Sequence, residues 1–124
     1  MNELEKSDKP IALIVEDDPQ LVSIFETAFQ MGGFETTTAV DGRIAQEKLQ
    51  AIVPDVIFLD VHLPHISGND LLYKIRRDDR FHQTKVILST ADSRIASQLR
   101  EEATMVLLKP VSFKELVELA KSLN

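Results

Sequence analysis

Short apolar runs rich in β-branched residues alternate along this chain with stretches whose apolar residues recur every three or four positions. The runs predict five strands, at Ile11–Glu16, Glu35–Ala39, Asp55–Asp60, Lys85–Thr90 and Met105–Leu108. Between and after them lie five amphipathic helices. The first takes Asp18 as its cap and Pro19 in its first turn, where a missing N–H costs nothing, and stops at Gly32-Gly33. Its inward face carries Leu21, Phe25, Ala28 and Phe29. The second follows Asp41-Gly42, buries Ala45, Leu49 and Ile52, and cannot pass Pro54. The third starts near Asn69 and turns Leu71, Leu72 and Ile75 inward. The fourth begins at Asp92-Ser93 and offers Ile95, Leu99 and Ala103. The fifth opens with Ser112 and Glu115 spaced as a capping box, then buries Leu116, Leu119, Ala120 and Leu123.

Strands one, three and four read almost wholly apolar, as strands covered by helices on both faces must. Strand two, Glu35-Thr36-Thr37-Thr38-Ala39, is polar and suits an edge. Strict alternation with right-handed crossovers then implies an α/β fold, a doubly wound five-stranded parallel sheet. Its expected strand order is 2-1-3-4-5 in a flavodoxin-like, three-layer α/β/α architecture. Residues 1–9, mostly charged or polar, read as a flexible N-terminal arm before one domain over residues 10–124.

Composition narrows the chemistry. The chain has 124 residues, with 14 Lys+Arg against 20 Asp+Glu and a formal charge of −6, so clustered cation for nucleic-acid phosphate is lacking. No Cys is present, which removes thiolate metal sites and disulfides and leaves oxygen or imidazole to hold any metal. The longest apolar runs, such as Ile11-Ala-Leu-Ile-Val15, are too short to span a bilayer, and the expectation is a cytoplasmic protein without membrane insertion.

In such sheets ligands gather beyond the carboxyl ends of the strands, where strand order reverses. Strand one ends in Glu16-Asp17-Asp18, strand three in Asp60, strand four in Ser89-Thr90, and strand five runs into Lys109-Pro110. At an effective dielectric near 20, two carboxylates about 5 Å apart repel by roughly 3 kcal/mol. Lys109 offsets part of that, and a small hard cation, Mg²⁺ with Mn²⁺ as a substitute, would complete the neutralisation. An ionised Asp beside a cation, a hydroxyl and an ammonium is equipped for phosphoryl transfer without a general base.

Leu13-Ile-Val-Glu-Asp-Asp-Pro19, Pro54-Asp-Val-Ile-Phe-Leu-Asp60, Val61-His-Leu-Pro-His-Ile-Ser-Gly68, Val86-Ile-Leu-Ser-Thr-Ala91 and Leu107-Leu-Lys-Pro110 together resemble the receiver domain of two-component response regulators. The resemblance covers about Pro10 to Leu123. It implies that Asp60 is the phosphoacceptor and that Glu16, Asp17, Asp60 and the backbone carbonyl of His62 ligate the metal. It makes Thr90 the switch hydroxyl and Lys109 the lysine before a proline, often in a cis bond. The implied donor is a phosphohistidine on a sensor histidine kinase or a histidine phosphotransfer protein. The implied outcome is a slowly self-resetting conformational switch rather than a turnover enzyme, a monomer or weak dimer, free-standing or cut from a longer chain. Downstream proteins would meet it on the first helix or on the face of the fourth helix, fifth strand and fifth helix, with no direct nucleic-acid contact.

The departures fall together. Val106 stands where the family usually has a switch aromatic, Glu102-Ala103-Thr104 where Gly-Ala-Asp is common, and Val111 where Phe is frequent. They favour, as an alternative, a degenerate receiver that binds partners constitutively. A Mg²⁺-dependent aspartyl-nucleophile phosphohydrolase is a further alternative, opposed by Glu-Asp-Asp in place of Asp-x-Asp on strand one. His62-x-x-His65 has the spacing of a metal pair, but Pro64 interrupts it and no further ligand joins, so zinc is not expected. His62 is placed beside the acceptor, and His65 and His82 in exposed loops. Arg94, Arg100, Glu101 and Glu102 form either a solvated face or a partner surface.

Overall fold

In the computed structural model the described residues are 8–124, so most of the expected N-terminal arm lies outside them. The chain runs β1 (Ile11–Val15), α1 (Pro19–Met31), β2 (Glu35–Ala39), α2 (Gly42–Ala51), β3 (Val56–Asp60), α3 (Gly68–Arg76), β4 (Lys85–Thr90), α4 (Ser93–Leu99), β5 (Met105–Leu108) and α5 (Phe113–Leu123). The sheet is parallel with order β2-β1-β3-β4-β5, as the alternation of elements requires.

Each helix start has a side-chain acceptor for an otherwise unpaired amide. Asp18 accepts from Gln20 N (2.9 Å), Asp41 from Ile44 N (2.9 Å), Ser67 from Asp70 N (3.2 Å) and Asp92 from Arg94 N (2.9 Å). Ser112 and Glu115 close the expected capping box.

Strand pleat divides the core in two. Leu13, Val15, Ile57, Leu59, Val86 and Leu88 point to the side of Ala45, Leu49, Leu71, Leu72 and Ile75, the layer of α2 and α3. Ala12, Ile14, Val56, Phe58 and Ile87 point to the side of Phe25, Phe29, Leu116 and Ala120, the layer of α1 and α5. There Phe25 meets Phe58 edge-on at 4.8 Å between ring centroids.

Boundaries differ from expectation where side chains leave the core. β1 ends at Val15, although Glu16 N still donates to Ala39 O (3.0 Å). β3 starts at Val56, although Asp55 N still donates to Ile11 O (2.9 Å) and the exposed Asp55 carboxylate accepts from Ile11 N (2.8 Å). Ile52 is the half-buried C-cap of α2 rather than a fully buried helix residue. α4 has only 7 residues, so Ala103 is buried from the turn beyond it. A 3-10 turn at Asp79–Phe81, unforeseen in the pattern, tucks Phe81 under the α2–α3 layer.

Candidate functional site

The pleat that sorts the core also aims the strand ends. Continuing Ala12 and Ile14, Glu16 falls on the α1/α5 side of the sheet, as does Asp60 after Val56 and Phe58. Lys109 follows Leu107 on that same side. Thr90, two residues after Leu88, has the opposite parity and lies toward α4. In the sheet register Val15 is level with Leu59 and Asp60 with Ser89, so the acids at the ends of β1 and β3 meet at one height.

Carboxylate oxygens of Glu16, Asp17 and Asp60 lie within 4.8 Å of one another. Glu16 and Asp60 are buried, at 2% and 5% exposure, whereas Asp17 faces solvent. Lys109 Nζ stands 3.4 Å from Asp60 Oδ1, which also accepts from His62 N (3.1 Å). The Lys109–Pro110 peptide is cis, and Lys109 N donates to Thr90 O (2.7 Å).

Glu16 carries the electrostatic signature of the cluster. Burial pushes its carboxyl up to about 7 from an ordinary 4.5; the Asp18 amide on Oε2 (3.1 Å) works against that, and the Asp60 charge adds to it. Its other oxygen, Oε1, is buried and has no hydrogen-bond partner, the one such side-chain atom among the described residues. An acceptor buried without a donor is costly, and here it belongs to a three-carboxylate group with one ammonium alongside. Oxygen donors at this spacing fit a small hard dication such as Mg²⁺.

Thr90 is fully buried at the end of β4, and its Oγ1 accepts from the Asp92 amide (3.1 Å) at the entry to α4. Thr90 thus follows Ser89, the register partner of Asp60, but its hydroxyl is engaged with the entry to α4. Val106, half-buried, packs on the same cluster of apolar side chains as Ile95 and Leu99 of α4. His62 is exposed, and its amide reaches Asp60. His82 is exposed too, as expected. His65 is exposed but not idle: at φ 70° its Nε2 lies 4.0 Å from Asp41 Oδ2 and 3.5 Å from an Arg43 nitrogen.

Sequence reasoning missed a strap built on Arg76. Its guanidinium donates to the carbonyls of Glu102 (2.6 Å) and Thr84 (3.0 Å) and to Thr104 Oγ1 (3.2 Å). Thr104 Oγ1 also accepts from Val86 N (3.0 Å). A hydroxyl there supplies the oxygen for which Asp is common in the resembling family. Of the charges read as either a solvated face or a partner surface, Glu102 lies beyond α4 and pairs with Arg77 (2.9 Å), and Arg94 pairs with Asp92 (3.6 Å).

The response regulator receiver domain family matches residues 12–121. The chain belongs to that family. Among curated relatives, the DNA-binding dual master transcriptional regulator RpaA of Synechocystis is 30% identical over 117 residues, covering 92% of this chain and 48% of that protein. The probable transcriptional regulatory protein TcrX of Mycobacterium tuberculosis is 37% identical over 109 residues, covering 85% and 45%. The chain spans about half the length of these relatives. Among solved structures, the receiver domain of the Francisella response regulator 1452 superposes with a TM-score of 0.79 at 31% identity, over 92% of this chain and 95% of that one. The chemotaxis response regulator CheY4 of Vibrio cholerae gives 0.82 at 26%, over 94% and 99%. Receiver domains act in two-component signalling as phosphoacceptor switches, between histidine kinases or phosphotransfer proteins and downstream effectors. Among the described residues, no helix of this receiver is long and apolar enough to cross a membrane.

Proposed function

We propose that this receiver accepts a phosphoryl group on Asp60 from a phosphohistidine of a sensor histidine kinase or a histidine phosphotransfer protein, in a Mg²⁺-dependent reaction. The observation that carries the reading is the buried Asp60 carboxylate set between the Lys109 ammonium at 3.4 Å and the Glu16–Asp17 pair. Glu16, Asp17, Asp60 and the His62 carbonyl would hold the ion. When bound, Mg²⁺, or Mn²⁺ in its place, supplies positive charge that neutralises the cluster and the charge gathering on a transferring phosphoryl group.

The protein's own groups account for the rest. Asp60 attacks as a carboxylate: an O–P bond forms as the donor's N–P bond breaks, and the departing imidazole keeps the bonding pair. It leaves neutral when its other nitrogen bears a proton. Lys109 is placed to take one equatorial oxygen of the transferring group, and the Thr90 hydroxyl to take another once it gives up the Asp92 amide. Water later cleaves the acyl phosphate, returning the carboxylate and releasing inorganic phosphate. The result is a self-resetting switch and not a turnover enzyme. Exchange of the Thr90 partner carries the change to α4, and Val106 leaves that response without an aromatic side chain to follow the hydroxyl. Output would pass through the α4–β5–α5 face or through α1 to a protein partner, with the receiver a monomer or weak dimer.

Incubation with Mg²⁺ and acetyl phosphate, followed by intact mass measurement, should add one phosphoryl unit to the wild-type chain and none to Asp60→Asn. No adduct on the wild type would instead support a constitutive binding module, and rapid multiple turnover of an unrelated phosphomonoester would support a hydrolase.

A further inference from the structure

The loop from Val61 to Gly68 connects the strand bearing Asp60 to α3, and both of its ends are fastened next to that residue. Val61 N donates to Ser89 O (3.1 Å), and Gly68 N returns to Val61 O (2.9 Å). The backbones are so close that a Cβ on Gly68 would stand 2.6 Å from Asp60 O and 2.6 Å from the Val61 Cα. A displacement that reaches Gly68 or Val61 therefore presses on the Asp60 backbone.

The middle of the loop rests on a different element. Gly42, the buried first residue of α2, lies directly beneath Ile66: a Cβ at Gly42 would come within 2.6 Å of both the Ile66 Cβ and the Ile66 carbonyl oxygen. One residue earlier, His65 holds a left-handed backbone that glycine adopts more readily, and its imidazole projects between Asp41 (4.0 Å) and Arg43 (3.5 Å). Asp41 cannot easily yield, because its carboxylate caps α2 through Ile44 N (2.9 Å) and it is 9% exposed. The far edge of α2 is anchored in turn, with Lys48 Nζ donating to Thr37 Oγ1 (2.7 Å) and to the Thr38 carbonyl.

We propose that the first turn of α2 is a positioning platform for the cation pocket, with Gly42 as its principal positioning residue and His65 as the adjacent polar contact. The inference deepens the phosphoacceptor reading and rests on it. The physical content is two close approaches in series: a larger residue at position 42 must displace Ile66, and Gly68, two residues on, lies against the Asp60 backbone and passes that displacement to it.

The test titrates Mg²⁺ into the full chain by calorimetry and measures acetyl phosphate modification against Mg²⁺ concentration. Gly42→Ala should weaken Mg²⁺ binding about tenfold and raise the half-saturating Mg²⁺ for modification in parallel, while the rate at saturating Mg²⁺ stays within about twofold. His65→Gly, which relaxes the backbone, should weaken binding by about threefold, the size of an exposed polar contact. His65→Asn, compatible with the same backbone, should recover much of that loss. A purely structural role would lower thermal stability in EDTA without moving the Mg²⁺ affinity of the folded variants. Unchanged affinity in folded Gly42→Ala overturns the proposal. If that variant does not fold, unchanged affinity in His65→Gly overturns it. Wild-type protein that takes up no Mg²⁺ refutes the phosphoacceptor reading itself, and this inference falls with it.

Discussion

Replacing Glu16 by Gln should make the metal-free receiver more stable at neutral pH and leave it unchanged in acid. The carboxyl is buried against Asp60, and its folded pKa is raised from 4.5 to about 7. A raised carboxyl pKa costs stability wherever the unfolded chain would be ionised: nothing at or below about pH 4.5, a growing amount up to about pH 7, and a constant amount above. At about 1.36 kcal/mol per pH unit the shift corresponds to roughly 3 kcal/mol. Solvent at the mouth of the pocket, where Asp17 is exposed, screens the charges and brings this to about 1–2 kcal/mol. For a chain of this length that is a difference of about 3–8 °C in Tm. Gln keeps the shape and can still accept from Asp18 N, so packing and capping are conserved. Thermal unfolding of both proteins in EDTA at pH 4.5, 6 and 8 measures the effect, and titrating groups away from the cluster cancel in the difference. Saturating Mg²⁺ at pH 8 should shrink or reverse the gap, since an ion bound to the folded state stabilises it. A Tm difference that is the same at pH 4.5 and pH 8 would refute the burial argument.

Two other substitutions separate the roles around Asp60. Lys109→Ala removes the ammonium 3.4 Å from Asp60 but none of the oxygen ligands, so Mg²⁺ uptake should persist while the acetyl phosphate reaction slows by about a hundredfold, read by intact mass over time. Thr90→Ala deletes the acceptor of the Asp92 amide and the hydroxyl aimed at α4; Asp60 should still be modified, whereas the amide shifts that phosphorylation produces in residues 92–99 should collapse in a two-dimensional NMR spectrum.

The fold was legible because continuous apolar runs and period-3.6 patterns do not overlap: Ile11–Val15 and Val56–Leu59 are unbroken apolar strands, and Asp18, Asp41, Asp92 and Ser112 each stand at a helix start, whereas the Ser67 cap of α3 was not read. The acid cluster was legible from topology, since parallel strands deliver Glu16, Asp60 and Lys109 to one end. Contacts of single atoms were not. Arg76 reads as one cation in a basic and acidic run, and nothing local says that it donates to two carbonyls on other elements. Gly42 reads as a turn residue after Asp41; only the approach of Ile66, 24 positions along, gives it a second reason to lack a side chain. The 3-10 turn at Asp79–Phe81 is too short to leave a period.

The same pleat separates chemistry from response. Glu16, Asp60 and Lys109 share the α1/α5 side of the sheet, while Thr90 and Val106 share the α4 side, so on the proposed mechanism a phosphoryl group on Asp60 would reach α4 across the end of β4. Thr90 is the residue that spans this boundary, because its hydroxyl holds the first amide of the turn that Asp92 then caps. Its movement toward the acceptor would leave the Asp92 N–H unpaired at the start of a helix of only 7 residues, where few internal hydrogen bonds resist rearrangement. On this proposed mechanism an aromatic residue would not be required for a signal to leave the pocket. With Val106 packed on the same apolar cluster as Ile95 and Leu99, the proposed response would be carried by the backbone of the β4–α4 turn, and α4 would be the element whose geometry reports the state of Asp60.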